Sequence, residues 1–339
     1  MNPRECVLEA LRHRQPPVVP YTLSFEGDVA ERLDAHYSGP EWRQRLIPFM
    51  AHVRAVDTDT KEQIDEVHFR DAYGGIWRHD RRPWHLEKPP LAQPSFDGYV
   101  FPATETFFRP GWREDGHRII AENCNRFILA HLGWGLFERS WNLRGFENLL
   151  TDVVAAPDFF EEALDRLTEL YLAFVEYTAE LKADAILFGD DWGDQRGVII
   201  GPKRWRKYLK PRWARIYEAV HRHGMFVMHH SCGSVAEIMP DIIEIGMDVL
   251  ESVQPEAAGM NPYELKRNWG DKISFWGGLG SQSTIPFGTP DEIRAEVRRL
   301  KAEMGAGGGY ILAPAKSLQP ETPTENAAAI AEAFAESVR

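Results

Sequence analysis

The 339-residue sequence predicts an α/β fold, a (β/α)8 TIM barrel with an irregular insertion of small strands in its N-terminal third. Three observations lead there. From residue 185 onward, short apolar runs alternate with helical patterns in five successive units, which implies a mostly parallel sheet. An apolar run over 18–23, with room for two more strands between residues 52 and 130, brings the total to a full barrel. No glycine-rich dinucleotide turn follows the first strand, so a closed barrel is favoured over a doubly wound sheet.

Asn2-Pro3 reads as a cap and a helix-compatible proline, with Val7, Leu8 and Leu11 as the apolar face of a first helix. The strand over 18–23 follows, then helical segments over 29–36 and 42–52. Residues 69–78 carry the Gly pair and aromatic alternation of a hairpin, and Pro89, Pro90, Pro94 and Pro102 break any long helix nearby. Residues 119–130 return the chain to the sheet, and 131–135 form a flexible connection. Helices are predicted over 136–154 and 157–181. Beyond them strands at 185–188, 226–228, 247–251, 272–276 and 309–313 alternate with helices at 202–223, 234–245, 262–268, 289–304 and 323–338. No linker or repeat divides the chain, so residues 1–339 are read as one barrel domain.

A formal charge of −12 offers nucleic acid or an anionic membrane little attraction. Cys6, Cys124 and Cys232 are too few and too scattered for a disulfide scaffold. The charged, helix-patterned N-terminus lacks the apolar core of a signal peptide, and no apolar run is long enough to span a bilayer. A cytoplasmic protein is expected, acting on a small molecule, with a homodimer allowed.

Barrel chemistry gathers at the C-terminal ends of the strands. There the sequence places His229, His230, Ser231 and Cys232. His and Cys two apart can turn toward one point, which suits zinc or thiol chemistry. The preceding unit supplies Phe188, Asp190, Asp191, Trp192 and Gln195. The two adjacent acids point in different directions, and either could fix a substrate, move a proton or orient a metal-bound histidine. Later strand ends offer Glu251, Gln254, Trp276 and Lys316, the last as an anion ligand. With His230 and Cys232 as two metal ligands, a third could be Glu251, Glu256 or an acid of the 190–191 pair.

Residues 4–12 with 17–20, 69–77, 144–148, 189–193, 230–233 and 307–323 together resemble the uroporphyrinogen decarboxylase superfamily, and more closely its corrinoid-dependent methyltransferase-like branch. The decarboxylase itself grips porphyrinogen carboxylates with an arginine-rich N-terminal motif. The matching segment here, residues 20–27, has no arginine and carries Glu26 instead. The methyltransferase branch binds zinc through an HxC pair, matched by His230 and Cys232, and a late cysteine, for which residues 313–316 have Ala-Pro-Ala-Lys. An oxygen in place of that sulfur makes a harder Lewis acid, better matched to an ether oxygen.

The resemblance therefore implies a Zn2+-dependent methyltransferase that demethylates an O-methylated compound, aromatic ones included, onto the cobalt of a corrinoid carried by a partner protein. Asp190, Asp191 and His229 are its expected catalytic groups. Phe188, Trp192, Trp276 and Trp77 are its expected apolar or stacking walls. Decarboxylation of a tetrapyrrole or other carboxylate is the runner-up, and a barrel that binds a small molecule without chemistry is the third reading.

Overall fold

A computed structural model describes residues 1–81 and 83–336, so the predicted last turn at Val338 lies outside the described residues. Eleven strands form two sheets. The larger is parallel: β1 (Met50–Val53), β6 (Phe127–Trp134), β7 (Ala185–Gly189), β8 (Phe226–His230), β9 (Val249–Val253), β10 (Ser274–Leu279) and β11 (Tyr310–Pro314), each beside the next. The smaller is the insertion, an antiparallel sheet of β2 (Lys61–Gln63), β3 (His68–Asp71), β4 (Ile76–Arg78) and β5 (His85–Lys88).

Helices cover the outside of the parallel sheet. They are α1 (Pro3–Leu11), α2 (Val29–His36), α3 (Trp112–Glu122), α4 (Leu136–Arg144), α5 (Phe146–Ala155), α6 (Pro157–Ala179), α7 (Pro202–Tyr208), α8 (Lys210–Arg222), α9 (Met239–Glu244), α10 (Pro262–Trp269), α11 (Thr284–Phe287), α12 (Pro290–Arg299) and α13 (Thr324–Ala335). No described helix is long and apolar enough to cross a membrane. Strands β7 to β11 read as near-continuous apolar runs because both their faces are covered, one by helices and one by the barrel interior.

The barrel closes incompletely. The expected first strand contributes one parallel bridge, Tyr21 to Leu312 of β11. Between Tyr21 and β1 side chains replace a backbone ladder. The Tyr21 hydroxyl accepts the Ile47 N–H at 2.7 Å, and its ring meets Phe49 edge-on at 5.0 Å. The curled sheet thus has an open seam held by one phenol.

Several predicted elements shift. The helix expected over 42–52 is a short 3-10 turn, Pro40–Arg45, followed by β1. Pro48 cannot continue a helix, and the apolar residues after it pair with β6. The flexible connection expected over 131–135 is the end of β6, which runs to Trp134. The helix expected over 136–154 is two helices, broken at Gly145, whose φ of +83° leaves the helical region. The hairpin read over 69–78 is β3–β4.

Replacing Tyr21 by Phe strands the Ile47 N–H at the seam. Urea denaturation of Tyr21→Phe is expected to show a loss of about 1–2 kcal/mol relative to the wild type.

Candidate metal-binding active site

The loops after β7 and β8 lie back to back. A side chain on Gly233, at φ +73°, would meet the Asp194 carbonyl oxygen at 2.5 Å. This close approach, with Gln254 Oε1 accepting the Gly233 N–H at 2.8 Å, presses the two loops together and brings Asp191 beside Cys232. Asp191 Oδ1 accepts the Cys232 N–H at 2.8 Å.

Strand alternation then sorts the neighbours. His230 faces the barrel cavity, and His229 points the other way, fully buried among Trp192, Trp213 and Tyr217. The Tyr217 hydroxyl lies 2.7 Å from His229 Nδ1, and burial holds the His229 pKa well below the usual imidazole value. Asp191 and Asp190 divide in the same way. Asp190 is buried and takes four donors: the Phe137 and Glu138 N–H groups at 3.1 and 2.9 Å, and the indoles of Trp192 and Trp213 at 2.8 and 3.2 Å. It thereby caps α4, whose N-cap, Gly135, has no side chain to do so. Burial raises the Asp190 pKa to about 6, with the four donors opposing.

Asp191, His230 and Cys232 converge instead. One ligand atom from each lies within 4.8 Å of the others, an O, N and S set that suits zinc. His230 Nε2 is 3.3 Å from Cys232 Sγ and 3.4 Å from Asp191 Oδ1. Glu251, expected among the ligands, stands behind them, with its Oε2 2.5 Å from His230 Nδ1. That bond fixes the ring and leaves Nε2 free for a metal, the usual carboxylate–histidine arrangement. Burial opposes charge on His230, but Glu251, Asp191 and Cys232 outweigh it and raise its pKa well above the ordinary value. A cation binding there would replace that proton.

The cavity in front of these groups is about 210 Å³ and is lined also by His131, Trp134 and Glu138. Glu138 and His131 were not singled out from the sequence, because one sits inside a helical pattern and the other in an expected loop. Burial, then the charges of Asp191 and Asp190, lift the Glu138 pKa to about 8. His131 Nε2 is 2.7 Å from His52 Nδ1, and burial, then His52, push His131 down to about 3, so the pair is neutral.

The other expected substrate contacts scatter. Phe188 forms part of the cavity wall, but its ring packs against Trp213 at 5.3 Å. Trp192 is buried against Trp205 and His229. Trp276 is buried and donates to Thr22 Oγ1 at 2.8 Å, and Gln254 is spent on Gly233. Gln195 and Lys316 are exposed on loops and do not line this cavity. Trp77 belongs to the insertion sheet and meets Trp134 at 5.8 Å, lining a neighbouring cavity.

The profile of the uroporphyrinogen decarboxylase family, URO-D, matches residues 141–337, a segment that contains Asp191, His230, Cys232 and Glu251. Methylcobamide:CoM methyltransferase MtaA of Methanosarcina barkeri is 30% identical over 178 residues, 52% of this chain and 49% of that protein. Uroporphyrinogen decarboxylase of Thermus thermophilus is 28% identical over 191 residues, 54% and 52% of the two chains. The chain thus spans about half the length of these curated relatives. A solved methyltransferase from Methanosarcina mazei shares the fold over 100% of both chains, with a TM-score of 0.73 at 21% identity.

Two outcomes follow. Asp190→Ala leaves four buried donors unpaired and is expected to cost about 3 kcal/mol or more in urea unfolding, with Asp190→Asn costing less. Glu138 holds its proton more tightly folded than unfolded, so stability falls as pH rises from its unfolded value near 4.5 toward 8. In chelator-treated protein, Glu138→Gln is expected to flatten part of the decline in Tm across that window.

Proposed function

The chain belongs to the uroporphyrinogen decarboxylase family, and from that premise we propose that its barrel mouth is a zinc-dependent methyl-transfer site. In this reading a methyl group moves from an O-methylated small molecule to the cobalt of a separate corrinoid protein. The observation that carries it is the convergence of Asp191, His230 and Cys232 on one point at the cavity. Similarity to a methylcobamide:CoM methyltransferase over about half its length supports a corrinoid as one methyl carrier of the reaction.

A zinc ion held by these three residues would act as a Lewis acid on the ether oxygen. Cys232 is then a ligand rather than a nucleophile. Glu251 fixes the His230 ring through Nδ1, and Asp191 would supply an oxygen as the third ligand. Glu138 faces the same cavity and would give its proton to the leaving oxygen. The methyl–oxygen bond breaks with its electron pair going to oxygen. A corrinoid cobalt(I) on a partner would supply the electron pair for the new bond to carbon, so charge and atoms would balance.

Decarboxylation of a polycarboxylate is less well served. Glu138, Asp191 and Glu251 line the cavity and no arginine is among its lining residues. Acids there repel carboxylates rather than grip them.

The test uses the purified protein with free cob(I)alamin as acceptor and a panel of methyl ethers, alongside metal analysis. About one zinc per chain and formation of methylcobalamin are expected. Glu251→Gln should weaken zinc binding about 10- to 100-fold, and Cys232→Ser should abolish transfer. Zinc-free protein with no methyl transfer from any ether would sink the reading.

A further inference from the structure

Beside the metal-site cavity lies a second one, about 160 Å³, built by the insertion sheet and the start of α4. Its walls are the rings of Phe69, Trp77, Trp84 and Trp134, with Lys61 and Arg139 at its edges. Trp134 lines both cavities, and the neighbours Glu138 and Arg139 divide between them, the first facing the metal site and the second facing the rings. Every residue of this cavity precedes residue 141, where the family profile begins.

Its charges are unequally matched. Asp71 is saturated by the Tyr73 and Gly75 N–H groups and the Trp77 indole, at 2.9, 2.8 and 2.7 Å. Asp59 pairs with one Arg139 nitrogen at 3.3 Å, which also donates to the Thr58 carbonyl at 3.0 Å. Arg139 is only 3% exposed, yet its Nε has no hydrogen-bond partner among the described residues. The Lys61 ammonium rests only on ring faces, 4.9 Å from Phe69 and 4.2 Å from Trp84. Lys61 therefore has donors to spare at an aromatic-walled space.

We propose that this cavity is the specificity site for a planar aromatic anion, whose ring lies against Trp77, Trp84 and Trp134 and whose acidic group is held by Lys61. The inference rests on the methyl-transfer reading, since Trp134 would pass the ring's ether substituent into the metal-site cavity. The chemistry excludes the other ligand classes. A cationic guest would meet Lys61 already seated on the rings. A purely apolar guest would cover the Lys61 ammonium donors without pairing them. A flat anion pairs the donors and stacks on the rings together.

Binding of 4-methoxybenzoate and of its neutral analogue 4-methoxybenzyl alcohol, read by calorimetry and tryptophan quenching, tests this. The acid is expected to bind about tenfold more tightly than the alcohol, the worth of one charge-assisted contact. Lys61→Met should erase that difference and Trp84→Ala should weaken both ligands. Both side chains are partly exposed, so these variants are expected to keep the wild-type Tm. The same preference should persist in Cys232→Ser, whose loss of methyl transfer reports on the metal site alone. Equal binding of acid and alcohol, no binding of either, or an acid affinity unchanged by Lys61→Met would overturn the proposal.

Discussion

The site depends on a two-residue alternation carried across two neighbouring strand ends. At the close of β7 and β8, consecutive side chains take opposite sides of the barrel wall. Asp191 and His230 go inward and, with Cys232, converge as a set that could hold a metal. Asp190 and His229 go outward into the layer between sheet and helices. A slip of one residue in either strand would exchange a metal ligand for a structural group. The parallel register of β7 with β8, Gly189 opposite His230, therefore decides the chemistry as well as the fold.

The outward pair does more than fill space. Asp190 ties the end of β7 to the first turn of α4 and to two indoles, so the helix that carries Glu138 and Arg139 is anchored from beneath the site. His229 packs between Trp192 and Trp213, with Tyr217 on its ring nitrogen. This buried layer holds the cavity wall at a fixed height. Glu251, one strand further round, then sets the angle of His230. Each inward ligand thus has an outward or lateral support of its own, as a preorganised site requires.

The insertion and the open seam share a cause. The first strand position contributes the Tyr21 bridge, and the Tyr21 side chain, meeting the Ile47 N–H and the Phe49 ring, spans the seam. The long excursion between β1 and β6 carries an antiparallel sheet ahead of α3, and the rings of that sheet meet Trp134 of β6. Two adjoining cavities result, one acidic beside the Asp191–His230–Cys232 cluster, the other aromatic with Lys61 over its rings.

By itself the sequence determined the barrel class, because alternating apolar runs and helical patterns are local signals repeated from residue 185 to the end. It also marked residues 229–232 as the chemical centre, since an HxC at a strand end is read without knowing its surroundings. Only the tertiary structure decided which of the adjacent acids and histidines face the cavity. It also put Asp191 with the ligands and Glu251 behind them, and brought Glu138 and His131 to the site from a helix and a misread loop. Those outcomes rest on strand register, loop-to-loop packing at Gly233 and pairing between β1 and β6. These are contacts between residues far apart in the chain, and no local pattern encodes them.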